Sequence, residues 1–147
     1  HSTEPGLLDP VTRLAIEKER PDWRGTLTAQ YGRGAFHGLL RGSYYGGFSS
    51  AQPGFCDLCA DSYGAKTLVD IEVGYRLGVA DISIGARNLF DVYPDQPSAT
   101  TLVDPSDPSA GTAADWNSNY GTFPWAAASP FGYNGRYVYS RVSIRLP

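Results

Sequence analysis

From Lys66 to Leu77 the chain changes character at every residue: Thr67, Val69, Ile71, Val73, Tyr75 and Leu77 alternate with Lys66, Leu68, Asp70, Glu72, Gly74 and Arg76. A period of two places successive side chains on opposite faces of a strand, so this segment has one greasy face and one charged face. Beyond Gly78-Val79 the pattern resumes, with Ala80, Ile82, Ile84, Ala86 and Phe90 set against Asp81, Ser83, Gly85 and Arg87, which reads as a tight hairpin. Upstream, Leu27, Ala29 and Tyr31 alternate with Thr26, Thr28 and Gln30. A Gly32-Arg33-Gly34 turn follows, and then Phe36, Leu40 and Tyr44 oppose His37, Arg41 and Ser43. At the C-terminal end Val138, Val142, Ile144 and Leu146 share a face with Ser140, while Tyr137, Tyr139, Arg141, Ser143 and Arg145 take the other. A weaker candidate runs from Val11 to Glu19, with Leu14 and Ile16 set apart from Arg13, Glu17 and Glu19, and stops at Pro21-Asp22. No segment shows the 3.6-residue period of an amphipathic helix. The expected fold is all-β, an antiparallel up-and-down meander of about six strands in a single unit over residues 1–147.

The connections are short at residues 20–22, 32–34 and 78–79 and long at 49–65 and 91–133. Tight turns at one end and long loops at the other describe a transmembrane β-barrel, although a soluble antiparallel sandwich shares the alternation. Charge placement favours the barrel. Arg13, Glu17, Arg41, Asp70, Glu72, Arg76, Asp81, Arg87, Arg141 and Arg145 all fall on the polar face, as mixed-sign residues lining a wet lumen would. Six strands fall short of the roughly eight of the smallest membrane barrel, so the chain either belongs to something larger or is not a barrel. It starts at His1 without methionine or signal-peptide pattern, and so reads as a processed product or a piece. No run approaches the ~18 apolar residues of a spanning helix. With 12 basic against 15 acidic side chains, nucleic acid is excluded as an expected partner.

Three stretches carry a resemblance: Thr67-Leu68-Val69-Asp70, the run Gly85-Ala86-Arg87-Asn88-Leu89-Phe90-Asp91-Val92-Tyr93-Pro94, and Pro130-Phe131-Gly132-Tyr133-Asn134-Gly135-Arg136-Tyr137. In this order and spacing they resemble the C-terminal end of TonB-dependent outer-membrane receptors, and Pro21 to Thr28 and Tyr44-Tyr45-Gly46 are similar to the preceding strands. The resemblance implies that the chain is the C-terminal part of a transmembrane β-barrel of about 22 strands. It further implies a bacterial outer-membrane location and import of a siderophore, carbohydrate or similar small-molecule nutrient. The implied partners are the remainder of the barrel, a plug domain, outer-membrane lipid and, through an N-terminal part absent from this chain, the TonB complex. The family usually ends on an aromatic residue, whereas here Leu146 fills that slot and Pro147 follows.

Several residues could carry chemistry. Cys56 and Cys59 form a Cys-Asp-Leu-Cys unit that could be a redox pair, half a zinc site or a small-loop disulfide. With no βαβ context and only His1 and His37 as further ligands, a disulfide pinning the long loop is the preferred reading, and no metal is expected. Trp116, Tyr120, Phe123 and Trp125, with Phe131 and Tyr133, crowd the last long loop, where rings could stack on a sugar or chelator and Asn117 and Asn119 could hydrogen-bond it. The same rings could simply pack on one another to hold the loop together. Asn88 to Gly135 contains no Lys or Arg but has Asp91, Asp95, Asp104, Asp107 and Asp115, which reads as a cation site or as a solvated Pro- and Ser-rich loop. Tyr44, Tyr75 and Phe90 near strand ends read as interfacial girdle residues. Asp70 and Glu72 stand about 7 Å apart on one face, a glycosidase-like spacing that lumen charges equally explain. His37 lacks a nucleophile-elbow motif, so neither catalysis nor a cofactor is expected. The alternative reading is a free-standing soluble β-sandwich that binds carbohydrate through the 116–125 loop.

Overall fold

The structure is a computed structural model that describes residues 13, 16–50, 61–99, 104, 106–112, 115 and 124–145. The alternating segments form β1 (Arg24–Arg33), β2 (Phe36–Tyr45), β3 (Phe48–Ser50), β4 (Asp61–Tyr63), β5 (Lys66–Leu77), β6 (Ala80–Arg87) and β7 (Tyr137–Ile144). The chain divides into two compact units, one spanning 23–45, 66–93 and 133–147 and the other 1–22, 46–65 and 94–132.

The first unit is a five-stranded sheet in the order β1-β2-β5-β6-β7, antiparallel at every step. It is the antiparallel meander that the alternation predicts. The two tight turns are each two residues long, Gly34-Ala35 and Gly78-Val79, closed by the pairs Arg33–Phe36 and Leu77–Ala80. The first turn is thus one residue shorter than the Gly32-Arg33-Gly34 reading, because pairing persists through Arg33. Gly34 and Gly78 have φ of 62° and 57° at the first turn position, where a two-residue hairpin of type II′ requires glycine.

In the second unit β3 and β4 pair with each other, occupying the two ends of the expected 49–65 loop. The Phe48 and Tyr63 rings lie 4.8 Å apart and the Ser49 and Ser62 hydroxyls 3.0 Å apart. Carboxylates tie this unit to its own loops. Buried Asp61 accepts the Ser98 N–H at 2.8 Å, and Asp95 accepts the Gly64 N–H at 2.8 Å while its carbonyl takes the Ala126 N–H at 3.1 Å. A 3-10 turn, Pro108–Ala110, is capped by Asp107 within the 91–133 segment.

The Val11–Glu19 segment is corrected. Where it is described, Arg13 and Ile16 to Lys18 are helical rather than extended, and Arg13 Nε meets Glu17 Oε1 at 2.9 Å across one helical turn. Two apolar residues at a spacing of two are a weak strand signal. Leu14, Ala15, Glu17 and Lys18 are good helix formers, and the i,i+4 ion pair favours the same answer.

Among the described residues the buried apolar side chains are Tyr45, Tyr63, Ala86 and Ala126 together with Pro94 and Pro97, and no large side chain falls below 2% exposure.

Candidate functional site

The register assigns every strand residue of the five-stranded sheet to a face. Glu72 lies opposite Leu39 on β2 and Gly85 on β6, and Gly85 opposite Tyr139 on β7, so these share the polar face. Residues offset by one take the other face: Leu27, Ala29 and Tyr31 on β1; Phe36, Leu40 and Tyr44 on β2; Val69, Ile71, Val73 and Tyr75 on β5; Ile82, Ile84 and Ala86 on β6; Val138, Val142 and Ile144 on β7.

That second face is apolar and open. Leu27 is 80% exposed, Ile84 61%, Val142 63% and Ile144 64%, and Leu40, Ile82 and Val138 are exposed with them. Full burial of one such side chain is worth about 1.5–3 kcal/mol, so a dozen left largely in water would forgo free energy comparable to the entire net stability of a domain. Aromatic rings bound the face. Phe36 and Tyr75 are direct cross-strand partners next to the tight turns, with Tyr31 edge-on to Phe36 at 6.5 Å; Tyr44 lies near the opposite end of β2. Phe36 and Tyr44 are separated by roughly 27 Å along the strand at ~3.4 Å per residue. With a tilt of ~40° that becomes roughly 20 Å of height, close to the ~25 Å apolar band between aromatic girdles of outer-membrane barrels. Phe90, also expected in a girdle, lies 68% exposed in the turn after β6.

The polar face is fastened by side chains that each cross a glycine. The Tyr139 ring lies over Gly85, where an added Cβ would come within 2.6 Å of the phenol, and its hydroxyl donates to Glu72 Oε2 at 2.7 Å. Arg141 Nη2 donates to the other oxygen, Oε1, at 2.5 Å, so this carboxylate, 15% exposed, is engaged at both oxygens. In the same manner His37 lies over Gly74, on the space a Cβ would fill, and brings Nε2 to 3.5 Å from Asp81 Oδ1; Arg76 Nε is 3.8 Å from Oδ2. Each bridge skips a strand, Tyr139 reaching from β7 to β5 and His37 from β2 to β6. Ser83, opposite Gly74 on one side and Arg141 on the other, is 2% exposed, and its hydroxyl has no partner among the described residues.

At the loop end the residues that carry the family resemblance form one knot. Asn88 and Asp91 adopt the left-handed conformation at φ of 50° and 59°, which Asn and Asp tolerate better than most residues. The buried Asn88 side chain brackets Val92, donating to its carbonyl at 2.7 Å and accepting its N–H at 2.9 Å. The Asn88 backbone N–H goes to Asp70 Oδ1 at 2.9 Å, and Asp91 Oδ1 accepts the Arg136 N–H at 2.7 Å just ahead of β7. The chain is thereby turned out of β6 and taken back into β7 by side chains that substitute for ladder hydrogen bonds.

Of the loop residues singled out for ligand binding, Trp116, Asn117, Asn119, Tyr120 and Phe123 lie outside the described residues, as do Cys56 and Cys59 with their disulfide. Trp125 is half-buried in the second unit beside buried Ala126. The five loop aspartates do not converge: Asp104, Asp107 and Asp115 serve local turns, and Asp91 and Asp95 hold amides distant in sequence. Asp91 and Asp95 hold the amides named above, Asp104 takes Ser106, Asp107 takes Ser109 and Asp115 takes Thr112. The Ser106 hydroxyl and then its N–H hold the Asp104 carboxyl below its usual value, and the Thr112 N–H and then hydroxyl do so for Asp115. Among the described residues no three His, Cys, Asp or Glu side chains are grouped to hold a metal. Asp70 and Glu72 are likewise committed, to Asn88 and to Tyr139 with Arg141. Sequence reasoning missed the glycine crossings; a signal was present in Gly74 and Gly85, both standing within otherwise strongly alternating strands. Comparison with protein-family models, with curated proteins and with solved structures finds no match to this chain.

Proposed function

We propose that this chain forms the C-terminal wall of a transmembrane β-barrel in the bacterial outer membrane, as part of a TonB-dependent receptor that imports a siderophore, carbohydrate or similar nutrient. The observation that carries the reading is the apolar face, continuous over five strands, with most of its large side chains exposed and with aromatic rings flanking it. A sandwich would bury such a face against a second sheet, whereas lipid tails cover it at no packing cost. Strand lengths of 8 to 12 residues suit a tilted crossing. Among the described residues β1 pairs only with β2 and β7 only with β6, so two edges await the other strands of a closed wall. In that setting the mixed charges of the polar face line the aqueous interior, and a plug domain, the missing strands and the TonB complex are the partners.

The reading is tested by refolding the chain in the presence of phosphatidylcholine vesicles. The chain is expected to float with the vesicles and to aggregate without them. A chain that stays monodisperse in detergent-free buffer, unfolds cooperatively and remains outside the vesicles overturns the proposal.

A further inference from the structure

Arg41 on β2 lies directly opposite Asp70 on β5, and because Ile71 pairs with Ala86, Arg87 comes next in register on Asp70's other side. Two guanidiniums therefore flank one carboxylate, yet neither is paired with it. The Asp70 carboxylate takes the Asn88 backbone N–H instead. Arg41 makes only a long 3.4 Å contact to the Thr28 hydroxyl, and Arg87 makes no ion pair among the described residues. The neighbouring carboxylate, Glu72, is saturated by Tyr139 and Arg141. Three arginines and two carboxylates thus leave the cluster one positive charge in excess and two forked donor groups unspent. Both line a concavity of about 520 Å³ at the loop end of the polar face, whose wall includes Tyr137 and Tyr139, stacked at 5.9 Å and 19°.

From this arrangement we propose that the concavity is a binding site for an organic polyanion, a solute with two or more carboxylate or phosphate groups held between Arg41 and Arg87. The two arginines stand two strands apart, roughly 10 Å between backbones, so their side chains can converge on a small solute from opposite sides. Guanidinium forks favour oxyanions bidentately, and the flat tyrosine pair offers the solute's carbon skeleton a surface. This deepens the receptor reading by naming a substrate class, and the site's place in a transport lumen rests on that reading; the binding itself is a property of the sheet.

The test is calorimetric titration of the full chain, refolded in non-ionic detergent at low salt, with citrate, inorganic phosphate and glucose in separate arms. Citrate is expected to bind saturably, to weaken as salt is added, and to lose about tenfold or more in affinity in the Arg41→Gln/Arg87→Gln variant. Glucose is expected not to bind. Arg41→Lys/Arg87→Lys, which keeps the charge and removes the forks, serves if the glutamine variant fails to fold, with an expected loss of about threefold or more. Absence of citrate binding, an affinity unchanged in the variant, or phosphate binding as tightly as citrate overturns the proposal. The two readings separate cleanly. A chain that enters vesicles but ignores citrate sinks only the anion site, whereas one that binds citrate but stays out of vesicles sinks only the receptor.

Discussion

The two faces of the five-stranded sheet are built on opposite principles. On one, Leu27, Ile84 and Val142 stand exposed, with the Tyr31 and Phe36 rings edge-on to each other; on the other, Glu72, Tyr139, Arg141, His37 and Asp81 are joined pair by pair. The first face tolerates any surroundings that are oily, because burial is non-directional and scales with area. The second depends on particular atoms at particular distances, and substitutions there act through named partners. A sheet that keeps its specific interactions on its charged side and leaves its apolar side uniform is suited to two different solvents.

That contrast can be broken most directly by moving charge across it. Ile84→Arg, in mid-strand on the apolar face, is expected to cost about 2–4 kcal/mol in bilayer-reconstituted protein, whereas Leu39→Arg on the polar face should cost about 0.5 kcal/mol or less. Urea unfolding in vesicles measures both, and equal costs would mean the faces do not see different solvents. A smaller effect is expected where Tyr139 crosses Gly85. Gly85→Ala displaces the phenol and should cost about 1–2 kcal/mol, but much less in a Tyr139→Ala background; a double-mutant cycle reading no coupling would refute the crossing. Asp91→Ala should cost about 1 kcal/mol by freeing the Arg136 N–H, and faster hydrogen exchange at that amide is its marker. The smallest effect is a pH response. Because Asp104 titrates below its unfolded value, the stability of its turn is fully present above the unfolded pKa and is lost only as pH falls through the lower, folded value. The Ser106 amide resonance should therefore hold its position on acidification until below the ordinary carboxylate range.

The sheet was legible because a period of two needs no knowledge of partners: Lys66 to Leu77 declares both its faces alone. Gly78 marked the second tight turn, whereas the first fell at Gly34-Ala35 rather than across Gly32 to Gly34, because pairing runs on through Arg33. The helical conformation at Arg13 and Ile16 to Lys18 was not legible, since propensity and an Arg13–Glu17 pair outweigh a two-residue alternation only when the whole segment is weighed. Nor were the links of Tyr139 to Glu72 and His37 to Asp81, which depend on cross-strand register between residues far apart in sequence. The knot of Asn88, Asp91 and Arg136 stood in between. Its residues were conspicuous as a resemblance, but their physical reason, two left-handed positions and an amide handed from one segment to another, needed coordinates.

The two glycine crossings also have a mechanical meaning. A side chain that reaches over an intervening strand is a chord across an arc. Because both chords lie on the charged face, each draws alternate strands together there and spreads them on the apolar face. The sheet is consequently biased to curl toward its charges, so the sense of its curvature is encoded in where glycine replaces a side chain.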